Sequence, residues 1–111
     1  GDGKEQLMLI VWNRIQVNEG FEERFERRQE RGEGEEIQGR LYFAVLRSDD
    51  PGVYINMSMW ESRDAFQDWR GSDAFKRAQS GGLPEGAIAG RPQLTIAEVV
   101  YNEGSLTPQE R

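Results

Sequence analysis

Residues 7 to 17 alternate between two sides. Leu7, Leu9, Val11, Ile15 and Val17 fall on one side, and Met8, Ile10, Trp12, Arg14 and Gln16 on the other. A period of two over this length predicts a strand. Asn13 is the single polar residue on the apolar side. Asn18-Glu19-Gly20 breaks the alternation, and the spacing becomes helical: Phe21, Phe25 and Arg28 share one side. Glu22, Glu26 and Glu30 sit three or four positions from arginines, the reach of pairs on one helix. Gly32 and Gly34 end that helix.

Ile37 to Arg47 predicts a second strand, apolar on both faces from Leu41 to Leu46. Ser48-Asp49-Asp50-Pro51-Gly52 has the chemistry of a tight reversal, and Val53 to Trp60 reads as the returning strand of a hairpin. Ser62 is then placed to cap a helix whose buried side holds Phe66 and Trp69. Gly71 interrupts it, and Ser72 caps a shorter helix carrying Phe75, Ala78 and Gln79. Residues 80–92 read as a glycine-rich loop, Leu94 to Tyr101 as the last strand, and Asn102 to Arg111 as a polar, frayed tail.

The order β-α-β-β-α-β predicts an α+β, ferredoxin-like domain over residues 7–101: a four-stranded antiparallel sheet with helices on one face. Residues 1–6 form a short polar start with no signal-peptide character. Helices can cover one side of such a sheet, yet these strands are apolar on both. A second copy packed face to face covers the remaining side, so a homodimer is expected, the alternative being a monomer whose tail or loop folds over that face.

Composition narrows the chemistry. A chain of 111 residues is one domain by length. A net charge of -6 argues against nucleic acid and against anionic membrane as partners. No apolar run approaches the roughly 20 residues of a membrane span. The chain contains no cysteine and no histidine. The first removes disulfides and thiol catalysis and fits a cytoplasmic setting. The second removes the usual base near neutral pH and the commonest ligand of zinc and haem iron, so no protein metal site is expected. Acid pairs such as Glu22-Glu23 are read as solvated surface.

Two side chains carry the candidate chemistry. Asn13 projects toward the helices, where it either bonds local backbone or offers its amide to a ligand. Trp69 either packs in the core or forms an aromatic wall. Phe21, Phe25, Phe66 and Phe75 extend that wall or fill the core.

Two stretches give the chain a likeness. One is Asn13-Arg14 with Val17 and the Gly20 turn; the other is Trp60, Ser62, Ala65-Phe66, Trp69, Ser72-Asp73, Phe75-Lys76 and Ala78. Over residues 7–101 it resembles the antibiotic-biosynthesis-monooxygenase superfamily of dimeric ferredoxin-like proteins. Within it, the likeness is to small bacterial haem-degrading monooxygenases of the staphylococcal iron-regulated type. The resemblance implies a pocket for haem, or another flat aromatic, between sheet and helices. It implies Asn13 as the pocket amide near the iron-bound oxygen and Trp69 pressing on the macrocycle. Phe25, Phe66 and Phe75 would lie around the ligand, and electrons would come from an external donor. The family's axial histidine falls at Gln79, whose carboxamide is a weak iron ligand beside imidazole, thiolate or phenolate. Two other readings accompany this one: a cofactor-free monooxygenase acting on a small aromatic, and a non-catalytic ligand-binding module.

Overall fold

The structure, a computed structural model, describes residues 6–28, 36–79 and 83–104. The elements are β1 (Leu9–Val17), α1 (Glu22–Arg27), β2 (Arg40–Arg47), β3 (Val53–Trp60), α2 (Arg63–Arg70), α3 (Asp73–Gln79) and β4 (Ile88–Glu98). The strands form one four-stranded sheet in the order β2-β3-β1-β4, every neighbouring pair antiparallel. This is the ferredoxin-like topology that the element order predicts. Among the described residues no helix is long and apolar enough to cross a membrane.

Local chemistry fixes the junctions. In the β2–β3 hairpin the Ser48 N–H donates to the Val53 carbonyl at 3.0 Å, and the Val53 N–H to Asp50 at 3.1 Å. Gly52 adopts φ +78, and a Cβ there would stand 2.6 Å from the Val17 carbonyl oxygen, so only glycine fits. Ser62 Oγ accepts from the Ala65 N–H and Ser72 Oγ from the Phe75 N–H, both at 3.1 Å, capping α2 and α3. Each cap is worth about 1 kcal/mol.

The strand register decides what the helices cover. Toward them point Leu9, Val11, Asn13, Ile15 and Val17 of β1, and Tyr54, Asn56, Ser58 and Trp60 of β3. Their core has two parts. Leu9, Val11, Trp60 and Phe66 form one, with Trp69 and Ile96 packed against it. Ile15, Val17, Phe25 and Tyr54 form the other, with Phe21, Val45 and Ile88 against it. Full burial of each large side chain here contributes about 1.5–3 kcal/mol. On the opposite face Ile10, Trp12, Tyr42, Met57 and Met59 have no helix over them, and Trp12 is 39% exposed.

Several expectations change. The last strand is Ile88–Glu98 rather than 94–101, because Ile88 and Ala89 pair with Val17 and Gln16 past an irregularity in the ladder. Residues 88–92 of the expected 80–92 loop are therefore strand. The second strand starts at Arg40, since Ile37 to Gly39 form the turn that delivers it. Among the described residues of α1 the helical ion pair is Glu23 with Arg27, which the spacing did not single out, while Glu22 accepts from the Gly20 N–H. Glu26 reaches across to Arg47 instead. Glu30, Gly32, Gly34, residues 80–82 and the tail from 105 lie outside the described residues.

Candidate functional site

One row of side chains crosses the middle of the helix-facing side: Val45 of β2, Asn56 of β3, Asn13 of β1 and Leu94 of β4. The row runs between the two core clusters, so Asn13 stands where the hydrocarbon packing is interrupted. Neither end of its carboxamide has a hydrogen-bond partner among the described residues. Beside it, Asn56 Oδ1 is buried and also without a partner. The helices leave part of this face open, for Leu94 is 45% and Phe43 40% exposed.

Trp69 comes to this side from α2. The Ser62 cap sets the start of the helix, and Trp69 follows Phe66 by three residues, on the same face. Its ring lies 5.4 Å from that of Trp60 and 4.8 Å from that of Phe75 on α3. It packs on the cluster containing Val11, and Asn13 is the next residue of β1 on that face. The two tryptophans differ in one respect. Trp60 Nε1–H donates to Ser58 Oγ at 2.9 Å, whereas Trp69 Nε1–H is buried with no acceptor among the described residues. An unmet buried donor costs about 1–3 kcal/mol, a penalty that a ligand bringing an acceptor removes.

The remaining candidates separate. Phe75 accompanies Trp69. Phe66 lies beneath, 4% exposed, its ring edge-on to Trp60. Phe25 belongs to the other cluster, 1% exposed and 4.8 Å from the Tyr54 ring. Both of these phenylalanines are packed on protein. Gln79 ends α3, and its side chain lies outside the described residues. Arg28 Nη2 donates to the Ala78 carbonyl at 3.0 Å, joining the end of α1 to α3.

Asn56 is the site residue that sequence reading missed. Its signal was present: counting on from the Pro51-Gly52 turn puts Tyr54, Asn56, Ser58 and Trp60 on one face, with Asn56 mid-strand.

The strongest charge cluster lies elsewhere. Arg47 forks onto both carboxylate oxygens of Glu26 at 2.7 Å, and Tyr54 Oη–H donates to the same carboxylate. The Arg47 fork, helped by Tyr54, lowers the Glu26 carboxyl to about 2. Burial, and then the Glu26 carboxylate, push the Tyr54 phenol up. An open hollow of about 520 Å³ beside it is lined by Glu22, Glu23, Glu26, Arg47, Pro51 and Tyr54 among others, and does not include Asn13 or Trp69. Every ionic group in this cluster is matched within the protein, so the cluster clamps α1 to the hairpin.

Donors for a haem iron are scarce. The chain has no histidine or cysteine. Met57, Met59 and Tyr42 belong to the opposite face of the sheet. Tyr54 is engaged by Glu26. No group of three or more metal-ligating side chains occurs among the described residues. The described residues thus do not fit imidazole-type ligation of a haem iron.

A ferredoxin-like sheet with helices on one face, and an aromatic-and-amide site between the two layers, defines an α+β protein of monooxygenase-like type. The chain belongs to the antibiotic biosynthesis monooxygenase family, whose model matches residues 8–81. It is 37% identical over 78 residues to a haem oxygenase (staphylobilin-producing) of Staphylococcus saprophyticus, a match covering 67% of this chain and 75% of that protein. The protein of the same name from Staphylococcus haemolyticus is 34% identical over 76 residues, 64% of this chain and 72% of the other. Among solved structures, the haem-degrader MhuD of Mycobacterium tuberculosis, with two haems bound in its active site, superposes with a TM-score of 0.70 at 29% identity. That match covers 86% of this chain and 99% of MhuD.

Proposed function

We propose that this chain is a monooxygenase that takes haem as its substrate, bound between the Asn13 row of the sheet and the Trp69–Phe75 face of α2 and α3. The observation that carries the reading is the buried indole N–H of Trp69, on the same side of the sheet as the Asn13 amide, both without a hydrogen-bond partner among the described residues. Aromatic edges and faces suit a planar apolar ligand, and a few convergent polar groups orient it. Relatives named as haem oxygenases and haem-degraders support the choice of haem. When bound, haem itself supplies the oxidative chemistry, and the protein contributes position, water exclusion and hydrogen bonds. Asn13 offers its amide toward the ligand, Trp69 presses one ring face and donates its N–H, and Phe75 backs the indole. Electrons come from an external donor.

The open apolar face bearing Ile10, Trp12, Met57 and Met59 supports a homodimer packed sheet to sheet.

The missing imidazole favours a second reading: oxidation of a small electron-rich aromatic without a metal. There Asn13 and Trp69 would orient the ring and stabilise developing oxyanion charge.

A hemin titration separates these readings. The expected result is a sharpened Soret band that saturates at fixed stoichiometry and is lost on adding ascorbate in air. Binding without loss would make the chain a haem-binding module, and no binding would sink the haem reading and leave turnover of quinol-like aromatics to be measured. Gln79→His is expected to tighten hemin binding and sharpen the band further.

A further inference from the structure

The β2 edge of the site departs from regular strand geometry. Residues three apart on a strand ordinarily face opposite sides of the sheet. Arg40 pairs with Trp60 and Phe43 with Ser58, so both point toward the helices, and the ladder shifts between Arg40 and Tyr42 to allow it. Leu41 takes up the extra position and is 52% exposed. Such a bulge re-aims a side chain, here by bringing the Arg40 guanidinium over the Phe43 ring, 4.9 Å from its centroid. The backbone leading into Arg40 is held twice. The Arg40 N–H donates to the Ile37 carbonyl at 3.0 Å, and the Gly39 carbonyl accepts from the Glu61 N–H at 2.9 Å. Gly39 has φ +83, and a Cβ there would lie 2.5 Å from Ala65 Cβ, so this turn is pressed onto the start of α2.

Two arginines stand on the helix-facing side of β2, and they are used differently. Arg47 directs its fork onto Glu26. Arg40 lies over a ring that the helices leave 40% exposed. A cation over a ring face engages its charge, and the guanidinium has five N–H donors to offer to acceptors. Phe43 precedes Val45 on the same face of β2, about 7 Å along the strand from the asparagine row. That row of Val45, Asn56, Asn13 and Leu94 holds no charge, and the chain as a whole is net -6. An anionic ligand seated there needs a cation at its margin.

We propose that Arg40 is a specificity-determining residue of the site: its guanidinium, set over Phe43 at the open β2 edge, binds a carboxylate carried on an arm of the ring ligand. This rests on the reading of the site as a pocket for a flat ring ligand, and it narrows that ligand to one with an anionic arm. Arginine suits the task because its planar fork meets both oxygens of a carboxylate, and the Phe43 ring holds it in place beforehand. Two sources supply the carboxylate: the propionates of haem, or the acid group of an aromatic carboxylic acid. An ester of either keeps the ring and loses the charge.

The test compares Arg40→Gln and Arg40→Lys with the unmodified protein, with binding followed by quenching of tryptophan fluorescence at low ionic strength. One probe pair is hemin and its dimethyl ester; the other is hydroxynaphthoic acid and its methyl ester. Arg40→Gln is expected to weaken binding of hemin, or of hydroxynaphthoic acid, by about five- to tenfold. The ester of that pair should change by less than about twofold, within the scatter of a site that lost no contact. Whichever pair shows the difference identifies the source of the carboxylate. Arg40→Lys, which keeps the charge without the fork, should fall between. Added salt should narrow the parent's preference for acid over ester. The melting temperature of Arg40→Gln should stay within about 5 °C of the parent, since one exposed cation–π contact is lost.

Equal losses for acid and ester in Arg40→Gln would make Arg40 a support for Phe43 and the strand edge, and overturn the proposal. A folded Arg40→Gln that binds every probe as the parent does would overturn it while leaving the pocket reading in place. If Arg40→Gln does not fold, the parent decides: no preference for acid over ester, or one that salt leaves unchanged, would overturn the proposal. Failure of the unmodified protein to bind any of the four probes would remove the pocket reading, and this proposal with it.

Discussion

Replacing Trp69 with phenylalanine tests the site through its least satisfied atom. The change deletes one ring of the indole together with the buried N–H that has no acceptor. The lost ring leaves a void of roughly 40 Å³, which at about 24 cal/mol per Å³ costs about 1 kcal/mol. Removal of the unmet donor returns about 1–3 kcal/mol. Contacts to the Trp60 ring at 5.4 Å and the Phe75 ring at 4.8 Å are kept in part by the remaining phenyl. The opposing effects nearly cancel, so urea unfolding followed by far-UV circular dichroism should give a stability within about 1 kcal/mol of the parent. The shift in Tm should stay under about 5 °C for a domain of this size. Hemin binding has no such compensation. Loss of one ligand hydrogen bond worth about 1 kcal/mol weakens it about fivefold. Trp69→Ala is the poorer experiment, since opening the Trp60–Trp69–Phe75 stack costs about 3–5 kcal/mol and mixes folding with binding. A Trp69→Phe protein that is destabilised by more than about 2 kcal/mol and binds hemin normally would refute the argument. It would show the indole to be a packing residue whose N–H the fold tolerates.

Phe25→Ala should cost about 3–5 kcal/mol by chemical denaturation. Its effect on ligand affinity should vanish once the folded fraction is allowed for, because Phe25 packs on Tyr54 in the other cluster. The Glu26 carboxyl, held at about 2 by Arg47 and Tyr54, sits below its ordinary value of 4.5, so its stabilisation is present above that value. It should be lost as pH falls from 4.5 toward 2, and a Glu26→Gln protein should show a shallower acid decline across that window in thermal melts. Trp12→Asp places a charge on the uncovered sheet face; sedimentation should report monomer in place of dimer, while far-UV circular dichroism stays unchanged.

The amino-acid sequence by itself determined the topology. Alternation at 7–17, the Pro51-Gly52 reversal, the serines at 62 and 72 and the break at Gly71 each act over a few residues, so they can be read without knowing what lies across the sheet. They locate β1, the hairpin, α2 and α3 to within a few positions of where these lie. The pairing of Asn13 with the helix side also follows from parity alone.

Long-range geometry decided the rest. The last strand begins at Ile88 because Val17 offers it a partner, and nothing in the glycine-rich segment announces that ladder. Glu26 leaves its helix neighbours for Arg47, since a forked bond to a guanidinium across the fold outweighs an exposed helical pair. Phe25 and Phe66, alike in the sequence, part into two clusters separated by the asparagine row. Asn56 drew no notice until the register set it beside Asn13. Whether a buried polar atom has a partner depends on what the folded chain brings within about 3 Å of it, and local spacing carries no record of that distance.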